Sequence, residues 1–114
     1  MLPTAHRMRK PQDFQRTRRA GRKFVSDGLI IHISLGLFDS EPVRVGITVG
    51  KDCGNSVARH RISRRIRGAV RPFISELPTG SAMVIRALPG CDENFDIAGA
   101  VSSAVEKASH QGGS

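Results

Sequence analysis

Residues 43–71 read VRVGITV-GKDCGNS-VARHRISRRIRGAVR, three pieces with three different patterns. In the first, Val43, Val45, Ile47 and Val49 alternate with Arg44, Gly46 and Thr48. That is the period of two expected of a strand with one buried face. The second piece carries Gly50 and Gly54 and reads as a turn, with Asn55 or Ser56 able to cap a following helix. In the third, Ala58, Ile62, Ile66, Ala69 and Val70 fall on one face of a 3.6-residue period, predicting a helix from about Val57 to Arg71. Arg61, Arg64, Arg67 and Arg71 take the opposite side, and Arg59 and Arg65 flank the apolar stripe. Pro72 lacks an N–H and crowds the preceding turn, so it ends or kinks this helix.

The same reading extends outward. On the N-terminal side, Lys10 to Gly21 is a short helix, with Pro11 in its first turn and Gly21 at the C′ position. Phe24 and Val25 lead into an Asp27-Gly28 turn, and Leu29 to Leu35 is a strand. Residues 36–42 form a loop. On the C-terminal side, Phe73 and Ile74 still reach the core, Leu77 to Gly80 is a turn, and Ala82 to Leu88 is a strand ended by Pro89-Gly90. A last helix runs from about Phe95 to Ala108, capped by Asp92 or Asn94, with His110 to Ser114 as a flexible polar tail. No internal repeat is visible. The order is helix, two or three strands, helix, strand, helix, which predicts helices packed on one sheet. The expectation is an α+β fold: residues 1–114 as one domain, an α/β sandwich of about four strands in a mixed sheet with three helices.

Charge narrows the class. The 114 residues carry 18 Lys and Arg against 10 Asp and Glu, a formal net of +8. Residues 1–23 hold eight basic side chains against Asp13 alone, and residues 44–71 hold eight against Asp52 alone, +7 in each case. The remainder is acidic, with Arg86 and Lys107 against eight carboxylates. Fourteen of the 18 cations are Arg, whose planar fork suits phosphate and base edges. Six Arg lie between residues 59 and 71 with no acid to pair with them. Such a face repels itself and is relieved by an anionic partner. The helix N-terminus behind the glycine turn adds a place for a phosphate.

Other classes find little support. The longest apolar run, Ala82 to Ile85, is far short of the roughly 18–20 residues of a membrane span, and Met1 to Arg7 has no signal-peptide stretch. The expectation is a cytoplasmic protein with no membrane partner and no DNA. Cys53 and Cys91 form no CxxC pair and read as free thiols. His6, His32, His60 and His110 show no ligand spacing, and neither Ser56 nor Ser63 has an evident base. No catalytic residue or protein-held metal is predicted.

The central stretch also resembles a known family. Val45-Gly46-Ile47-Thr48-Val49-Gly50-Lys51, Gly54-Asn55-Ser56-Val57, Arg59-His60-Arg61, and then Arg64 and Arg67 resemble the signature of the bacterial ribonuclease P protein component. Arg9-Lys10, Asp13-Phe14-Gln15 and Gly21 fit that family's opening, and Met83 to Ala87 its late strand. The resemblance spans most of residues 7–108. It implies the protein subunit of an endoribonuclease whose RNA subunit is the catalyst and holds the Mg2+ ions. The partners it implies are that catalytic RNA and precursor tRNA, whose 5′ leader is removed by metal-assisted hydrolysis. By position, Lys51, Asn55, Arg59, Arg61, Arg64 and Arg67 would contact the catalytic RNA. Phe14, Arg18 and His32 would line a leader cleft, with Arg9 and Lys10 near its phosphates. The family also implies a left-handed βαβ crossover, where general rules favour a right-handed one.

The chain departs from the family pattern at several positions. His60 replaces an Asn between the two arginines, and Gly68 a frequent Glu. Asp52 and Ser63 stand where basic residues are common, and Arg18 and His32 where aromatics are frequent. With no Tyr or Trp and only five Phe, the cleft is expected to rely more on Arg than on stacking. Two further readings stay open: another basic RNA-binding module such as a ribosomal protein, and an autonomous nuclease.

Overall fold

The computed structural model describes residues 6–38 and 41–112, the side chains of 110–112 excepted. The elements are α1 (Pro11–Ala20), β1 (Arg22–Val25), β2 (Leu29–Ser34), β3 (Arg44–Val49), α2 (Ser56–Val70), β4 (Ala82–Ala87) and α3 (Ile97–Gly112). A 3-10 turn, Lys51–Cys53, precedes α2, and a second, Arg71–Glu76, carries Pro72 directly after it. The four strands form one mixed sheet in the order β1-β2-β4-β3. β1 and β4 flank β2 antiparallel, while β3 pairs parallel with β4.

The alternation read from β3 holds in space. Val45 and Met83 face α2 and α3 together with Leu29, Ile31, Ile33, Ile85 and Ala87. Ile62, Ile66 and Val70 of α2, with Ile97, Val101, Ala104, Val105 and Ala108 of α3, close this main core. The other face is smaller. Met8, Ala82 and Val84 are buried there, with Phe14 and Phe38 packed against them.

The crossover from β3 through α2 to β4 is left-handed. With both strands running upward and α2 toward the viewer, an L-residue facing the viewer turns its N–H and C=O to the right. Val45 faces that way, and its carbonyl accepts from the Met8 N–H at 2.9 Å. Arg44 faces away, and its N–H donates in the opposite direction, to the Ser81 carbonyl at 3.1 Å beside β4. β4 therefore lies to the left of β3, against the usual right-handed rule.

Several local readings are corrected. Phe24 and Val25 belong to a full fourth strand, β1. Gly21 is the C-cap of α1 rather than the residue after it, in an extended conformation (φ −84°). What demands glycine there is space, since a Cβ would stand 2.7 Å from the Thr17 carbonyl oxygen and 2.9 Å from that of Ile33. α3 begins two residues later than expected. Its cap is Asp96, whose Oδ1 accepts from the Gly99 N–H at 2.9 Å, not Asp92 or Asn94. Asp92 instead accepts from the Asn94 N–H and holds the loop before the helix. α3 continues to Gly112, past His110, where the tail was expected to start; residues 113–114 lie outside the described residues. Cys53 is half-buried and Cys91 buried, both as free thiols, and burial pushes both thiols up.

Candidate nucleic-acid interface

α2 presents its basic residues in three distinct settings. Its buried side, Ile62, Ile66 and Val70, is fixed by the core. Arg61, Arg64 and Arg71 are exposed, with no side-chain hydrogen bond or ion pair among the described residues. Arg59 and Arg67 are half-buried at the flank. Lys51 is exposed in the 3-10 turn ahead of the helix. The six residues assigned to catalytic RNA therefore lie on one helix and the turn leading into it. Asn55 has a second task, because its side chain accepts from the Ala58 N–H at 2.9 Å and caps α2. One of the helix's free N–H donors is thereby taken, so the N-terminus offers an anion less than the glycine turn alone suggests.

Arg59 shows where an acceptor is missing. It lines a groove of about 320 Å3 with Ile47, Val49, Ser56, His60 and Ser63. Its Nε is shut off from solvent and has no hydrogen-bond partner. A buried guanidinium N–H without an acceptor is costly.

Arg65 is different. Its Nη1 donates to the Asp92 carbonyl at 2.9 Å and its Nη2 to the Phe95 carbonyl at 2.8 Å. Both terminal nitrogens of the fork are bound to protein carbonyls. Arg44 is occupied in the same sense by Asp13 at 3.4 Å and by Glu41. Its guanidinium also lies 5.4 Å from the Phe38 ring centroid, with Arg16 at 5.2 Å from the same ring. A count of cations along the sequence could not separate these from the free ones.

On the opposite side of the sheet, α1 divides the surface. Thr17 is fully buried beneath it. Asp13 and Arg16 turn toward Arg44 and Phe38 and close one side. Phe14 lies half-buried over Gly46 of β3. Arg18, four residues on, is near His32 of β2: its charge and that of Lys23 add to burial in holding the imidazole below its usual pKa. Arg9 and Lys10 are exposed where the chain enters α1. The fold thus brings Phe14, Arg18 and His32 together along α1, with Arg9 and Lys10 at its start.

The strand register adds residues that the sequence reading missed. Thr48, Arg86, Ile30 and Val25 lie side by side across β3, β4, β2 and β1 on this face. Thr48, Arg86 and Val25 are exposed and Ile30 half-buried, so this row forms an open floor beside α1. Arg86 is the central cation of that floor. The available signal was its place in AMVIRA, where period two puts it on the face of Ala82 and Val84. Among the described residues no group of three or more His, Cys, Asp or Glu is placed to hold a metal ion, and no helix is long and apolar enough to cross a membrane.

Comparison with known proteins points in one direction. A family model described as Ribonuclease P matches residues 2–108. The "Ribonuclease P protein component" of Mycobacterium sp. (strain KMS) is 43% identical over 90 residues, covering 79% of this chain and 76% of that protein. That of Streptomyces avermitilis is 37% identical over 100 residues, covering 82% and 81%. Among solved structures, the RNase P protein of Staphylococcus aureus superposes with a TM-score of 0.71 at 23% identity, over 96% of each chain. The RNase P protein of Thermotoga maritima gives 0.68 at 18% identity, over 91% of this chain and 96% of its own.

Proposed function

Given that the chain belongs to the ribonuclease P protein family, we propose that it is an RNA clamp with two working surfaces. As a ribonuclease P protein component it is part of a ribonucleoprotein that processes tRNA, and its partner is the ribonuclease P RNA. In our reading, Lys51, Asn55, Arg59, Arg61, Arg64 and Arg67 dock on that catalytic RNA. Phe14, Arg18 and His32, with Arg86 on the open floor and Arg9 and Lys10 at its end, hold the 5′ leader of precursor tRNA. The whole of residues 1–114 acts as one domain, in the cytoplasm.

The observation that carries this reading is the exposed, unpaired state of Arg61 and Arg64 on a helix whose other face is ordinary core. Like charges so displayed lower the stability of the free protein, and counterion release on binding a polyanion reverses that cost. The protein's own carboxylates, histidines and cysteines do not form a metal set among the described residues. As the family resemblance implies, we assign the Mg2+ ions, and the hydrolytic step they assist, to the RNA subunit. The chain's residues bind and orient; none of them is given a proton-transfer role.

The test is cleavage of a precursor tRNA at low magnesium by the protein alone, the RNA subunit alone, and both together. The reading requires no cleavage by the protein alone and stimulation when both are present. Cleavage by the protein alone would establish an autonomous nuclease. Binding to RNA without stimulation would establish a basic RNA-binding module of another kind.

A further inference from the structure

Of the six arginines between residues 59 and 71, Arg65 alone has both ends of its fork bound within the protein, among the described residues. Its acceptors are the carbonyls of Asp92 and Phe95, 27 and 30 residues away in the loop between β4 and α3. That loop is itself anchored. The Leu88 N–H donates to the Gly28 carbonyl at 2.9 Å. The Phe95 ring covers Gly28 so closely that a Cβ there would stand 2.8 Å from Phe95 Cγ. Gly90 packs on the Asp27 carbonyl, which a Cβ would approach to 2.5 Å. Arg65 therefore ties α2 to the β1–β2 turn through the β4–α3 loop.

Ile62, Ile66 and Val70 seat α2 on the core by close packing, which sets its depth and much of its orientation, and the Arg65 fork adds a directional tie to that packing. Two N–H donors from one planar group on two fixed carbonyls define a direction. Rotating α2 would break both bonds and would swing Arg59, Arg61, Arg64 and Arg67 together.

We propose that Arg65 is a positioning residue: its fork sets the rotation of α2, and so the direction of the RNA-facing arginines, without touching RNA itself. This rests on the reading of α2 as the RNA-docking helix. The experiment measures binding of a bacterial ribonuclease P RNA transcript to the full chain as salt is varied, for wild type, Arg65→Lys, Arg61→Ala and Ile66→Val. Arg65→Lys keeps the charge and loses the fork. Its affinity is expected to fall about tenfold at every salt concentration, because the whole docking face is turned. Its log–log salt slope should match that of wild type, since every phosphate keeps its cation. Arg61→Ala should flatten the slope by roughly 0.7–0.9, because one phosphate is left without its arginine. Ile66→Val loosens the core beneath the same helix and controls for stability alone; it should keep wild-type affinity wherever it is folded.

The proposal is overturned if Arg65→Lys binds as wild type does, if its slope falls as that of Arg61→Ala does, or if Ile66→Val at matched melting temperature loses as much affinity. Absence of salt-dependent binding by wild type would instead sink the RNA-docking reading, and the positioning role with it. The two failures are therefore told apart by the wild-type curve.

Discussion

The ring of Phe14 lies directly against the backbone of Gly46: a Cβ at Gly46 would stand 2.6 Å from Phe14 Cζ. Glycine in the middle of β3 is thus explained by the aromatic residue that α1 lays over it. The contact joins the helix bordering the cleft to the strand that leads into the Arg-rich helix. Phe14 is half-buried, packed on Met8, Ala82 and Val84, with part of its ring left to the surface.

Two substitutions at this contact should behave differently. Phe14→Ala should cost about 2 kcal/mol, below the roughly 3–5 kcal/mol of a fully buried phenylalanine. It should weaken precursor tRNA binding relative to mature tRNA and leave assembly with the catalytic RNA nearly unchanged. Gly46→Ala should cost roughly 1–3 kcal/mol by overpacking, with the ring displaced. Denaturant melts and paired tRNA affinities would check both. Equal losses for precursor and mature tRNA in Phe14→Ala would leave Phe14 as a packing residue only.

Arg61 and Arg64 are exposed and three residues apart, so replacing both by Ala opens no cavity. Stability should change by no more than about 0.5 kcal/mol. For each phosphate that loses its arginine, the log–log salt slope for the catalytic RNA should drop by roughly 0.7–0.9. A double variant with the wild-type slope would remove these residues from the interface.

Asn55 serves two purposes that chemistry can separate. Asn55→Ala removes the cap on the Ala58 N–H and should cost about 1 kcal/mol. Asn55→Asp keeps a good cap and favours the helix N-terminus, so stability should return. It also places a negative charge beside RNA, and binding should weaken. If Asn55→Asp bound RNA as tightly as wild type, Asn55 would be a cap alone.

The pH dependence of stability has a definite sign at His32. Burial, then Lys23 and Arg18, hold its folded-state pKa below the usual value. The unfolded imidazole takes up a proton near pH 6.5, where the folded one resists it. Stability from this group is therefore present above that pH and is lost as pH falls through the unfolded value toward the folded one. Thermal melts from about pH 7.5 to about pH 5 should show the decline, and His32→Gln should flatten it. An unchanged profile in His32→Gln would place the titration elsewhere.

Much of this protein was legible from its own periodicities. The alternation over residues 43–49 and the 3.6-residue spacing over residues 57–71 locate β3 and α2, because each pattern is set by neighbours one turn or one pleat away. The charge segregation, and the motif from Val45 to Arg67, mark the basic helix in the sequence itself. The smaller errors follow from local ambiguity. Asp92, Asn94 and Asp96 are all competent caps, and only the position of the Gly99 N–H selects Asp96.

What the tertiary structure decided is which charges are free and which neighbours a strand acquires. Helical spacing puts Arg61 opposite the apolar stripe and Arg65 beside it, but only the fold shows that Arg61 is exposed and that Arg65 is clamped to carbonyls 27 and 30 residues away. Arg44 reads as one more cation but is matched by Asp13 and Glu41 across a loop. Arg86 gains its place on the open floor beside α1 only because β4 sits between β2 and β3, bringing Ile30 and Thr48 to either side. Residue spacing along a chain fixes the direction a side chain faces within its own element. The partner it meets is fixed by contacts between elements distant in sequence, and those exist only once the chain has folded.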